Sequence, residues 1–495
     1  MSWKPQTLGE VLESRPPGSE ALVTPRNRFS YKDILEKSRS AAGAMQSMGL
    51  KRGDHVGVLM GNDEKWLALF YGAALIGAVT VPVNTRFKAA EIDFCLKQAD
   101  CKALFYAERF LDIDFGQMVK EIRPKLAVEI NQLPANAFQG GEVSPDDILL
   151  IQFTSGTTAY PKGAMLTHDN MLRDAWAAGM RVGIRAEDRY FNCRPFFHVA
   201  GSTLSALMAL VAGACLVTLP TFEAGAALEM MERERCTLLS GNDTLMQMLM
   251  GHADFPKRKL CLRGGWAAAG PQTMRAIIDV LGAKQICAAY GLSEASPNVV
   301  MSDWRDPEPL RIEGLALPHE GVHLRISSEG EIQVRGWNVM KGYYNNPEAN
   351  AKAFTPDGWL RTGDLGALTA DGRLRMWGRL KDVFRVGGEN VAPAEVEEVL
   401  LAHLAVETAQ VIGVPDSRLG EVGCAYVTLK SNASVSEEEL LAWCKARCAN
   451  FRVPRYLKIV KDFEAIGMTA SGKVQKAKLR EHALREFDLP RGGAP

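Results

Sequence analysis

The sequence predicts an α/β protein. It should have a large N-terminal domain, residues 1–380, of covered, mostly parallel sheets with a small antiparallel, β-barrel-like unit, and a small α+β C-terminal domain, residues 381–495. Three observations predict it. Helical periodicity followed by short β-branched strands recurs through the first ~380 residues, as in ILEKSRSAAGAMQSMGL then HVGVLM, and such alternation builds parallel sheets. After residue 310 the texture turns to short alternating strands. Beyond Lys381 strands and helices interleave in a stretch long enough to form its own domain.

The elements follow in that order. Residues 67–83, LALFYGAALIGAVTVPV, read as a buried helix, a glycine stop and a strand, and 199–220 repeat that grammar. The second run carries no charged residue and is about the ~20 residues a membrane span needs. Gly201, Gly213 and Pro220 punctuate it, so a buried α/β core is the reading taken. VHLRISSEGEIQVRG and GWLRTGDLGALTADGRLRMWGR alternate as strands, with Asp371-Gly372 as a hairpin turn. AEVEEVLLAH and SEEELLAWCKARC read as helices around the strands AQVIGVPD and GCAYVTLK; three glutamates open the second helix, where its dipole favours them.

Composition bounds the function. At 495 residues the chain can bury sizeable cores. Lys+Arg and Asp+Glu both number 58, a balance that gives no support for a nucleic-acid or membrane-surface partner and favours small molecules. Ten cysteines are scattered; Cys444 and Cys448 would share a helix face with no second pair to complete a zinc site, so reduced thiols in a cytoplasmic enzyme are expected. The N-terminus lacks an apolar secretory segment, and no transmembrane segment is expected.

Residues 153–163, FTSGTTAYPKG, combine hydroxyl donors, glycines and one ammonium, which suits a polyphosphate. A P-loop is excluded. The fourth residue after Gly156 is Tyr160, the lysine precedes its glycine, and no hydroxyl follows.

With RPFFHVAG (194–201), AAYGLSEAS (288–296), GWLRTGDLG (358–366), GRLKDVFRVGGENVAPAEVE (378–397) and TASGKVQKAKLR (469–480), that loop resembles the adenylate-forming superfamily. This group comprises acyl-CoA synthetases, peptide-synthetase adenylation domains and luciferases; the motifs stand in its order and span essentially the whole chain. The resemblance implies a two-step reaction. A carboxylic acid and ATP give acyl-AMP and pyrophosphate, then CoA displaces AMP, with Mg2+ as the metal.

It also implies roles. Thr154, Ser155, Gly156, Thr157, Thr158 and Lys162 would hold the β- and γ-phosphates, with Ala159 where the family usually has glycine. Tyr290 and Gly291 would face adenine, Ser293 the α-phosphate, and Glu294 would ligate magnesium. Asp364 and Arg379 would hold ribose. Lys473 would bridge the carboxylate and α-phosphate in the first step, and the catalytic set would be Lys473, Glu294, Thr154 and His198. Lys381 matches the hinge between the domains, and Gly387, Gly388 and Glu389 match the CoA-binding segment.

For the acid, His198, Val199, Gly265, Trp266 and Gly291 match the acyl-binding wall, and Trp266 stands where something small is common. Phe196 and Phe197 are apolar and no arginine stands out as a clamp for a second carboxylate. A hydrophobic monocarboxylic acid (aromatic, alicyclic or medium-chain) is therefore expected. Two alternatives stay open: an enzyme that loads a separate carrier protein, and a non-catalytic nucleotide-binding homologue. The chain ends 22 residues after Lys473 (495 − 473), which leaves no room for a fused carrier. A homodimer is also left open.

Overall fold

Short β-branched segments separated by amphipathic helices pair into two sheets. The structure is a computed structural model and describes residues 3–154, 161–430, 432–468 and 474–490. A six-stranded sheet runs in the order Lys162–Thr167, Ile148–Thr154, Val79–Pro82, His55–Leu59, Ala103–Tyr106, Ala127–Glu129. All its pairings are parallel except the first, which is a hairpin. A nine-stranded sheet places Gln285–Gly291, Gly264–Ala268, Leu238–Asn242, Arg189–Asn192, Cys215–Thr218 and Glu20–Val23 side by side, all parallel, with antiparallel strands at both edges. Helices cover it, and Val217, Leu228, Leu239 and Ile277 meet in the core between.

The uncharged run after His198 is the buried helix the sequence predicts. It begins at Val199, widens into a π-helical turn over Ser202–Leu207, and ends at Ala212 against Gly213, whose φ of 73° caps it before the strand Cys215–Thr218. Among the described residues, no helix is long and apolar enough to cross a membrane.

By their contacts, residues 1–324 and 334–361 form one compact unit and 325–333 with 362–495 a second. The sequence reading put residues 362–380 before its boundary at Lys381, whereas here they group with the C-terminal unit. Gly363 and Thr362 tie them to Glu331 and the carbonyl of Ile332.

The second unit carries the antiparallel hairpin Leu360–Leu368/Leu374–Arg379 and a five-stranded sheet, Glu389–Val391, Phe384–Val386, Gly420–Leu429 and Val406–Asp416, with Tyr456–Ile459 alongside Gly420–Leu429. The helices Pro393–Leu401, Glu437–Lys445 and Lys476–Glu486 bury Val396, Leu440 and Leu479 against it. The helix opened by the three glutamates stops at Lys445, before Cys448, so the two cysteines do not share a helix face as the sequence suggested. All ten cysteines are free.

Candidate active site

The glycine- and hydroxyl-rich loop leaves and re-enters the six-stranded sheet at its hairpin, where Thr154 lies opposite Lys162. Beyond Lys162, the segment 341–344 runs along the hairpin's outer strand: Met165 N–H donates to Gly342 O at 2.9 Å and Tyr344 N–H to Gly163 O at 2.8 Å. That pairing carries the Tyr343 phenol to Glu294. Tyr343 Oη donates to Glu294 Oε1 at 2.8 Å and Thr154 Oγ1 donates to the same oxygen at 3.2 Å. Glu294 Oε2 takes no hydrogen bond from the described residues. Lys162 Nζ stands 5.3 Å from the Tyr343 ring centroid. Burial and the adjoining carboxylate raise the Tyr343 pKa, so the phenol stays a donor.

Tyr343 was missed by the sequence reading. In GYYNNP it reads as the start of a turn, and its role depends on pairing with a segment far away in the chain.

Tyr290 ends the strand Gln285–Gly291, which bulges between Tyr290 and Gly291 as the antiparallel edge begins. A Cβ on Gly291 would lie 1.9 Å from Pro297 O, so only glycine fits under this turn. Ser293 opens a one-turn helix, Ser293–Ala295, that carries Glu294. Glu294 O accepts from Met340 N–H at 2.9 Å.

A buried polar network backs the turn. Asn298 N–H donates to Asp174 Oδ2 at 3.1 Å, Asn338 Nδ2 to Asn298 O at 3.0 Å, and Ser296 Oγ to Asn338 O at 2.7 Å. His319 Nε2 meets Asn298 Oδ1 at 2.6 Å. Burial keeps His319 neutral, with its pKa pushed down to about 3, and pushes the Asp174 carboxyl well above the usual carboxylate range.

An unfolded histidine protonates near pH 6.5 while buried His319 does not. The unfolded state then binds the extra proton, and stability falls as pH drops from about 6.5 toward 3. Asp174 acts the opposite way, its buried carboxyl favouring the fold as pH falls, so a paired variant isolates the histidine. The loss of unfolding free energy between pH 7 and pH 5 should be smaller in His319→Gln than in wild type by roughly 2 kcal/mol, read by urea unfolding. Equal losses would remove His319 as the titrating group.

The residues expected to line the acid, His198, Val199, Gly265, Trp266 and Gly291, all lie in the first unit. His198 caps the helix that follows it, its Nδ1 accepting from Ala200 N–H at 3.1 Å. The residue keeps solvent-accessible surface, yet protein crowds the ring. Lost hydration, and secondarily the charge of Arg194, push its pKa down to about 4, so the neutral imidazole is the form present at pH 7. Val199 is buried beneath it.

Gly265 has φ 128°, and a Cβ there would lie 1.8 Å from Leu239 O on the neighbouring strand. Trp266, the next residue, is 3% exposed, and its Nε1 donates to Tyr190 Oη at 2.8 Å. The indole is thus anchored in the core below the wall.

The remaining candidates lie in the second unit. Asp364 and Arg379 face each other across the hairpin, Arg379 Nε 3.3 Å from Asp364 Oδ1, with the carboxylate buried and the guanidinium half exposed. Lys381 sits in the single turn Leu380–Asp382. Gly387 and Gly388, at φ 58° and 98°, form the two-residue hairpin turn between Val386 and Glu389, where positive φ at both positions selects glycine. Ser155, Gly156, Thr157, Thr158, Ala159 and Lys473 lie outside the described residues.

Among the described residues, no three His, Cys, Asp or Glu side chains gather as a metal cage. Glu294 offers one carboxylate oxygen that takes no hydrogen bond from the described residues. This fits magnesium held by one carboxylate plus the substrate's phosphate oxygens.

The family of AMP-binding enzymes matches residues 10–344, and the C-terminal domain of AMP-binding enzymes matches 395–473. A Rhodococcus jostii ligase that joins CoA to a methyl-dioxo-octahydroindenyl propanoyl group is 35% identical, covering 92% of this chain and 94% of its own. A mitochondrial medium-chain acyl-CoA ligase of Bos taurus is 32% identical, covering 98% of this chain and 88% of its own. Among solved structures, the anthranilate CoA ligase AuaEII, in complex with anthranoyl-AMP, superposes with a TM-score of 0.89 at 25% identity, covering 98% of each chain. The chain belongs to the AMP-binding, adenylate-forming enzymes, as an AMP-forming acid–thiol ligase of the acyl-CoA synthetase kind.

Proposed function

We propose that the chain converts a hydrophobic carboxylic acid, aromatic, alicyclic or medium-chain, to its CoA thioester through an acyl-adenylate, with the residues above in the roles their motifs imply. The observation that carries this reading is the Glu294 carboxylate. Tyr343 and Thr154 hold one of its oxygens, and no described residue bonds the other, beside Lys162 and the ends of a hydroxyl-rich loop. Magnesium, when bound, would neutralise developing phosphate charge. Thr154, Ser155, Gly156, Thr157, Thr158 and Lys162 take the departing pyrophosphate. Tyr290, Gly291 and Ser293 take the adenine and α-phosphate end, and Asp364 with Arg379 takes ribose, the buried carboxylate accepting from its hydroxyls.

Lys473 supplies the positive charge that lets two anions approach in the first step. Rotation about Lys381 then withdraws it and brings Gly387, Gly388 and Glu389 to the thiol. Neutral His198 acts as a gate between acid and thiol. A cytoplasmic location belongs to this reading, and a homodimer is compatible with it.

The test is pyrophosphate release from Mg-ATP against a panel of aromatic, alicyclic and straight-chain acids, with and without CoA. Release confined to one class and ending in a thioester is the expected result; release without thioester would overturn CoA as acceptor. Lys473→Ala should slow acyl-AMP formation by about tenfold or more while supplied acyl-AMP is still consumed on adding CoA. Equal loss in both half-reactions would contradict the role given to Lys473.

A further inference from the structure

Several buried or partly buried arginines of the large unit have anionic or carbonyl partners among the described residues. Arg189 meets Glu20 and Glu234, Arg263 meets Asp188 and the carbonyl of Gly183, and Arg311 donates to the carbonyls of Asp306, Lys284 and Ile286. Arg258 leaves its Nε unbonded but pairs with Glu232.

Arg194 has neither. Its Nε is buried without a hydrogen-bond partner, and no carboxylate among the described residues forms an ion pair with its guanidinium. An arginine cannot shed its proton to escape this, so the buried Nε–H stays unmet.

Its position is fixed from both ends. The carbonyl of Arg194 accepts from Asn62 Nδ2 and Asn192 Nδ2, each at 2.8 Å, which holds the backbone. The guanidinium carbon lies 5.4 Å from the Trp266 ring centroid, and the indole, tied to Tyr190, gives it a flat anchoring face. His198, four residues on, feels its charge. Arg194 is therefore grouped with Trp266 and His198, two residues proposed for the acyl wall. The residue is only partly buried, and of its donors Nε alone is both fully buried and without a partner.

We propose that Arg194 is the specificity residue of the acyl site: its fork receives an acceptor oxygen, a ring ketone or a second carboxylate, borne by the otherwise hydrophobic acid. This rests on the reading that the wall around His198 and Trp266 holds the acid. The sequence reading found no arginine clamp because a lone arginine before PFFHVAG shows nothing of its partners. Sites built to donate to a substrate oxygen reject the analogue that lacks it, since their own polar groups are then left unpaired.

Three acids decide it: cyclohexylpropanoate, its ring-keto derivative and its ring-carboxy derivative. Each is titrated calorimetrically into the full-length enzyme and separately assayed for pyrophosphate release. Wild type should bind one functionalised acid about tenfold or more tighter than the plain acid, and whichever gains names the group. In Arg194→Leu that ratio should fall toward one. Arg194→Lys, which keeps charge but loses the fork, should retain part of it.

Equal binding of all three acids by wild type, failure of both functionalised acids to bind, or a preference surviving in Arg194→Leu would overturn the proposal. Preferential binding without pyrophosphate release would leave Arg194 in its role and refute the synthetase reading instead.

Discussion

Replacing Glu294 by glutamine should cut acid-dependent pyrophosphate release by about a hundredfold or more while leaving the fold intact. Glutamine keeps the Oε1 acceptor that Tyr343 and Thr154 use, at 2.8 and 3.2 Å, so the local hydrogen bonds survive. What it removes is the charge and the oxygen free to ligate a cation. A cation's stabilisation of transferring phosphoryl oxygens contributes several kcal/mol, and a hundredfold is roughly 2.7 kcal/mol of barrier. Tyr343→Phe is the graded control: it keeps the carboxylate and deletes one donor, so about a tenfold loss is expected. Activity of Glu294→Gln within about threefold of wild type, with an unchanged unfolding curve, would remove Glu294 from the catalytic machinery.

The fold was readable because hydrophobic periodicity and glycine stops are local signals. The run 199–220 shows this: its helix, its Gly213 cap and the strand Cys215–Thr218 follow from punctuation alone. Asp364 and Arg379, named by the motif likeness alone, face each other across the hairpin that the sequence also predicts.

Tyr343 and Arg194 were not legible, and for one physical reason. Each matters through what it touches, or fails to touch, across long sequence separations. Tyr343 reaches Glu294 only because residues 341–344 pair with the strand Lys162–Thr167. Arg194 is notable only for a missing partner. Trp266, standing where something small is common, is held by a hydrogen bond to Tyr190 and turns a face to Arg194, neither of which its sequence neighbours reveal. The division of the chain was less legible still, because which unit the hairpin Leu360–Leu368/Leu374–Arg379 joins depends on packing.

Gly265→Ala should destabilise the protein by roughly 3–5 kcal/mol, among the largest single-residue costs in the chain. Two penalties coincide there. The φ of 128° is one that L side chains rarely adopt, and the added Cβ would stand 1.8 Å from Leu239 O and 2.9 Å from Leu239 N. Those atoms are backbone in the next parallel strand, so no rotamer change relieves the collision; the strands must part.

Gly282→Ala separates the two terms. Its φ is 82° but nothing lies within 4 Å of the new Cβ, so conformation alone should cost about 1 kcal/mol. Similar unfolding midpoints for the two variants would mean the close strand approach is not real. If Gly265→Ala still folds, parting the strands shifts Trp266 and with it the face under Arg194. Its preference among the three acids should then weaken more than its rate on the best of them, a coupling that Gly282→Ala should not show.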